Sequence, residues 1–237
     1  MRWRYPYLGM DVPLRKRSWG VALMSGAFSE SKAKPGQFFR LRPDARCRGP
    51  GHGVLFENEQ DLVAPPRLSL RPKGGGFPSL PSVPRLVHVP ANGPLPEDLE
   101  GGFSGYWLVS ERLKHVMQSV DPDAFAFTET DYRLADGSIG PAMFLCDVVR
   151  TVDALDEMAS EVLIEVSDDF EAGKYYDLAG GAKLAFRKDA LGSAHVFKLP
   201  FNGAVFCDRT FKDAVEAAGI SGPDSSGGLW FSDAVSS

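Results

Sequence analysis

Between residues 105 and 120 the hydrophobic pattern changes period within a few positions. "GYWLV" (105–109) is a continuous β-prone run, whereas Leu113, Val116, Met117 and Val120 recur at helical spacing after Ser110, a good N-cap. The pattern predicts a strand and then an amphipathic helix through "ERLKHVMQSV". A second helix is predicted from Arg209 to Ala218, capped by Asp208, buried through Phe211, Ala214, Val215 and Ala218, and stopped by Gly219. Strands are expected at "QFFRLR" (37–42), "AFAFTE", "AMFLCDVV", "VLIEV", "KLAFR", "HVFKL", "AVFCD" and "LWF" (229–231). Asp136-Gly137 marks a turn and Asn202-Gly203 a hairpin, because both residue types tolerate the positive φ that tight turns need.

Elsewhere the pattern is looser. "VLFENEQDLV" (54–63) suits a strand or a short helix, and residues 153–161, "DALDEMASE", suit a short helix or turn. From Pro65 to Pro96 the prolines leave room only for edge strands and extended segments such as "RLVHV". "SDDFEAGKYYD" (167–177) reads as an acidic loop, and Ser225-Ser226-Gly227-Gly228 as a flexible tip before the last strand. Residues 1–36 show no sustained period and read as an appended, poorly ordered basic extension, which Met10 and Met24 inside it make as readily the product of a misassigned upstream start as a functional basic arm. "VSERLKHVMQSV" (109–120) and "CDRTFKDAVEAA" (207–218) place strand end, cap, Lys and apolar positions in register, so one supersecondary unit reads as used twice.

Composition narrows the class. The chain has 237 residues, 43% of them hydrophobic and 24% charged, enough for a sizeable core. No apolar run is long enough to span a bilayer, and "WGVALMSGAF" after Arg15-Lys16-Arg17 makes a poor signal peptide, which points to a cytoplasmic protein. Cys47, Cys146 and Cys207 are far apart and lack a C-x-x-C or a His pair, as expected of buried, reduced thiols. Net charge is −5, with seven basic and two acidic residues in 1–36 but 19 basic and 29 acidic residues in 37–237. An acidic body repels phosphate backbones and suits a basic protein partner as readily as a merely solvated surface.

No catalytic constellation emerges. His52, His88, His115 and His195 are not spaced as i, i+4, and "GPGHG" (49–53) and "KGGGF" (73–77) do not link a strand to a helix as phosphate loops do. No metal or cofactor is expected. The most distinctive feature is the density of carboxylates from 153 to 171, from which Asp156, Glu157, Asp168, Asp169 and Glu171 are the candidate partner-binding residues.

Taken in order, "FFRLRPD", "LPEDLEGGFSGYWLVSERLKHVM", "VRTVDALDEMASE", "VFKL…AVFCDRTFKDAVEAAGISG" and "LWFSD" carry a family resemblance over about residues 37–233. The chain resembles family eleven of the immunity proteins of bacterial polymorphic toxin systems. The resemblance implies an α+β domain without catalytic activity that neutralises a cognate toxin by direct binding. Asp156, Ser160, Trp107 and "ISG" at 220–222 fall at matching positions, while the basic extension and the Pro-rich 65–96 segment depart from the pattern.

The resulting expectation is an α+β domain over residues 37–237, with a mixed, mainly antiparallel sheet and two amphipathic helices packed on it; division near residue 100 is the other arrangement. Two other functions fit the residues: an enzyme with an Asp/His site assembled from distant loops, or a regulatory module with a deep apolar ligand pocket. The identity of the toxin and the oligomeric state cannot be read from the sequence.

Overall fold

The computed structural model describes residues 33–44, 52–63, 69–222 and 226–236. Most of the basic extension, together with Cys47, lies outside the described residues. In chain order the strands are β1 (Phe38–Pro43), β2 (Val54–Phe56), β3 (Arg85–His88), β4 (Leu99–Phe103), β5 (Tyr106–Ser110), β6 (Phe125–Glu129), β7 (Asp131–Arg133), β8 (Met143–Val148), β9 (Leu163–Val166), β10 (Lys174–Asp177), β11 (Val196–Lys198), β12 (Val205–Asp208) and β13 (Leu229–Asp233). The helices are α1 (Glu59–Leu62), α2 (Glu111–Val120), α3 (Lys188–Leu191) and α4 (Arg209–Ala217).

The fold is α+β, but among the described residues the strands form four sheets instead of one: β11-β12-β1-β13, β4-β5-β8-β6, β2-β3-β7 and the β9–β10 hairpin. Every strand pairing is antiparallel except β3 with β7. Both four-stranded sheets are covered on two faces, so alternate residues of one strand enter different cores. On β8, Phe144, Cys146 and Val148 join the core beneath α2 and α4, while Met143 and Leu145 enter a second core with β2, β3 and β7. That double burial is why "MFLCDV" is an unbroken run in which all six residues are buried. The other four-stranded sheet behaves alike: Val205 and Cys207 face the helices, and Phe206 joins a third core with Phe197, Phe186 and Tyr176.

Both long helices form where their spacing predicts. Ser110 Oγ accepts the Leu113 N–H at 3.2 Å, and Asp208 Oδ1 accepts the Phe211 N–H at 3.0 Å, satisfying donors that a helix start leaves open. Leu113, Met117, Phe211 and Val215 are buried, whereas Val116 and Val120 are only partly covered. Ala218, expected in the core, is exposed at the C-cap, because α4 ends at Ala217.

Several loop expectations change for local reasons. "RLVHV" is central and not an edge: β3 pairs with β2 and β7, and Pro84 and Pro90 lie outside the four paired residues. β4 is a strand despite Gly101-Gly102, joined to β5 by Ser104-Gly105, whose φ values of 52° and 85° match a two-residue hairpin turn. "KLAFR" is not a strand; it contributes only isolated bridges, Lys183 to Glu161 and Phe186 to Leu155. The acidic loop is shorter than expected, because "KYYD" is β10. Gly227 and Gly228 are buried and not part of a flexible tip: a Cβ on Gly228 would lie 2.1 Å from the Leu99 carbonyl oxygen. Residues 153–161 form a turn, and no helix of the described residues is long and apolar enough to cross a membrane.

At the amino end Gly36 is held on both sides. Its N–H donates to Asp233 Oδ2 at 2.6 Å, and Arg209 Nε donates to its carbonyl at 3.2 Å.

Phe211→Ala is expected to cost about 3–5 kcal/mol in urea unfolding by opening a cavity between α4 and both sheets, whereas Ala218→Ser should stay within about 0.5 kcal/mol. Equal losses for the two would contradict the assigned helix face.

Candidate functional site

The carboxylates singled out from the sequence gather around the β9–β10 hairpin, and the hairpin explains their placement. Ile164 and Tyr176 are cross-strand partners turned toward the third core. By the two-residue period of a strand, Leu163, Glu165, Tyr175 and Asp177 therefore face outward. Leu163 is 49% and Tyr175 39% exposed, and Phe170 stacks on Tyr175 with ring centroids 5.7 Å apart. Val166, at the tip beyond the core, is 80% exposed. The result is an apolar ridge on a projecting hairpin, bordered by acidic side chains.

The five predicted residues divide into two groups. Asp156 and Glu157 serve the fold. Asp156 Oδ1 accepts the N–H groups of Met158 and Ala159, both at 3.1 Å, and closes its own turn. Glu157 pairs with Lys174 and accepts the Tyr176 hydroxyl at 2.6 Å, tying that turn to β10. The hydrogen bond from Lys174, then that from Tyr176, holds the Glu157 carboxyl below its usual range; burial, then the bond to Glu157, raises the Tyr176 phenol. Ser160 stays within the same architecture, its Oγ accepting the Ala185 N–H at 2.9 Å.

Asp168, Asp169 and Glu171 are exposed at the hairpin loop. Asp169 takes part only in a local turn with Ser167, and Glu171 approaches Lys73 at 3.5 Å with both side chains largely in solvent, where screening leaves such a pair little energy. Charge reasoning found these carboxylates but not the apolar residues between them. The available signal was the outward phase of Leu163 in "VLIEV" and the doubled Tyr175-Tyr176.

Three of the histidines and both described cysteines are tied into the fold. His52 and His88 bind backbone carbonyls of Gly101 and Gly93, and His195 Nδ1 lies 2.8 Å from Asp208. Cys146 and Cys207 are free and buried, and burial pushes both thiols well up, away from the reactive thiolate. Among the described residues no three His, Cys, Asp or Glu side chains converge as a metal site would require.

The fold and this surface define an α+β protein of small, mainly antiparallel sheets that presents an acidic hairpin with an apolar ridge. The family model described as the immunity protein family (Imm11) matches residues 37–236, and the chain belongs to that family. The resemblance read from the sequence is borne out by that match. No curated protein matches the chain.

Because the Glu157 carboxyl is lower in the folded state, its contribution is complete above the ordinary value of 4.5 and is lost as pH falls through the lowered one. Glu157→Gln is therefore expected to lower stability at pH 7 and to flatten its dependence on pH below about 5, measured by thermal unfolding across pH. A variant with the wild-type acid slope would show that this carboxylate is not coupled to folding.

Proposed function

We propose that the protein neutralises a cognate bacterial toxin by binding it directly, without catalysis, and that the β9–β10 hairpin takes the partner. Membership of an immunity protein family supplies the class of function. The observation that carries the rest is the combination on one projecting element of Leu163, Phe170 and Tyr175 with Glu165, Asp168, Asp169 and Glu171. Aromatic and aliphatic side chains at the centre of a contact supply most of its energy, and surrounding charges set partner choice and encounter rate. Such a surface suits a basic toxin domain, in a complex burying about 1,200–2,000 Å² if it is of standard size.

Asp156 and Glu157 enter this reading as residues that hold the turn beside β10, with Asp168, Asp169 and Glu171 as those that meet the partner. On this reading the protein works in the cytoplasm of the producing or a neighbouring cell, as part of a polymorphic toxin system, which family membership supports. Nucleic acid does not fit as a partner, because the body charge opposes a polyanion.

Replacing Asp168, Asp169 and Glu171 with Lys is expected to leave the unfolding midpoint unchanged, to slow association with the toxin encoded beside this protein, and to weaken the salt dependence of that rate. Leu163→Ser should instead accelerate dissociation. Co-expression supplies the biological readout: the unmodified protein protects cells and the combined variant does not. Unchanged association kinetics and full protection by the combined variant would place the interface elsewhere.

A further inference from the structure

An acidic chain carries one strongly cationic recess. A cleft of about 300 Å³ opens between β1, β5, β8 and the β11–β12 hairpin, and Arg40, Arg42, Arg71, Lys198 and Trp107 line it. Among the described residues the only carboxylate in its wall is Asp147. Four basic side chains thus meet one acid, although acidic residues outnumber basic ones by ten over residues 37–237.

The geometry shows how the one carboxylate is used. Asp147 is buried and bound to Arg71 through Nη2 at 2.9 Å and Nε at 3.0 Å, and it also accepts the Gly76 N–H at 2.6 Å. Two of these bonds fall on Oδ1 and one on Oδ2, which fixes the carboxylate in the wall. Lys198 donates to the Val148 carbonyl at 2.9 Å, a neutral acceptor. Arg71 Nη2 and Lys198 Nζ come close to one another beside Asp147: a Cβ built on Gly75 would lie 3.1 Å from Asp147 Oδ2, 3.7 Å from Arg71 Nη2 and 3.9 Å from Lys198 Nζ. Burial, and after it the nearby Arg71 charge, lowers the Lys198 ammonium, with Asp147 acting the other way. The side chain of Arg40, half-buried on β1, forms no hydrogen bond or ion pair with the described residues.

We propose that this cleft binds a small phosphate-bearing molecule, with the phosphate received by Arg40, Arg71 and Lys198. A monocarboxylate would leave most of the excess positive charge uncompensated, whereas a phosphate group brings up to two negative charges and several acceptor oxygens to the Arg forks and the Lys ammonium. The volume is at the low end for small-molecule pockets. A long polyanion is disfavoured because the acidic surface around the recess repels it. The site is separate from the hairpin surface and stands independently of the toxin-binding reading.

The test uses the full chain and inorganic pyrophosphate at constant ionic strength, followed by calorimetry and by the fluorescence of the tryptophans, among which Trp107 lines the cleft. One saturable site is expected, with binding falling in the order pyrophosphate, sulfate, acetate. Arg40→Gln should weaken pyrophosphate binding at least about tenfold, since a hydrogen bond to a charged group contributes that much or more, without moving the ligand-free unfolding midpoint. Lys183→Gln, which removes an exposed cation paired with Glu161 away from the cleft, should bind like the unmodified protein. Absence of saturable binding, no ordering among the three anions, equal affinity of the Arg40→Gln variant, or tighter binding of single-stranded DNA than of pyrophosphate would each overturn the proposal; the ordering among anions is read on the unmodified protein and so does not depend on any variant folding.

Discussion

The position of β1 between β12 and β13 is the constraint on which the rest of the structure depends. An early strand forms the middle of a sheet whose other members all lie beyond residue 195, so the sheet cannot close until the chain ends have met. Phe39 and Leu41 enter the core beneath α2 and α4, while Phe38 packs at 5.0 Å on Phe186 in the third core. The alternate positions Arg40 and Arg42 are left for the cationic cleft, with the Arg42 guanidinium 3.5 Å above its cross-strand partner Trp230. One six-residue strand therefore joins two hydrophobic cores and supplies half of the cleft's basic side chains.

Three buried carboxylates fasten the loops around that frame. Asp121, just after α2, accepts Arg150 and also the backbone N–H groups of His195 at 2.8 Å and Val196 at 2.9 Å, which sets the start of β11. Asp98 accepts the Ser110 hydroxyl and the Arg112 guanidinium at the start of α2. Asp147 fixes the segment around Arg71 and Gly76 against β8. Each carboxylate is desolvated and each is compensated by several donors; leaving such a charge without its partner costs about 3–5 kcal/mol, so these pairs specify which loops meet more than they add net stability.

The legible parts of this architecture were those with an uninterrupted period. α2 and α4 carry both a cap and an apolar stripe, and β8 announces double burial through a run with no polar alternation except Asp147. "KLAFR" misleads because its alternation is real but serves packing: Leu184 and Phe186 are buried while the backbone makes only isolated bridges. β4 is hidden by Gly101 and Gly102, and the second of these adopts a positive φ of 92° that a strand pattern does not suggest. Of the candidate site, the acidic composition was visible, but the division between Glu157, bound to Lys174 and Tyr176, and the solvent-facing Asp168 was not, because it depends on which strand passes beside the turn. The cationic cleft was invisible for the same reason: Arg40, Arg71 and Lys198 are brought together only by tertiary structure.

The two surfaces that emerge differ in design. The hairpin offers apolar contacts bordered by negative charge, while the cleft recedes and gathers positive charge from β1, β11 and the loop that carries Arg71. The central functional claim concerns the first, and amide hydrogen exchange of the full chain, free and bound to its cognate toxin, tests it most directly. Slowed exchange over residues 163–177 on toxin binding, with the β2-β3-β7 sheet unchanged, is the predicted result. Protection confined to that sheet or to α2 and α4, with residues 163–177 exchanging as in the free protein, would contradict it.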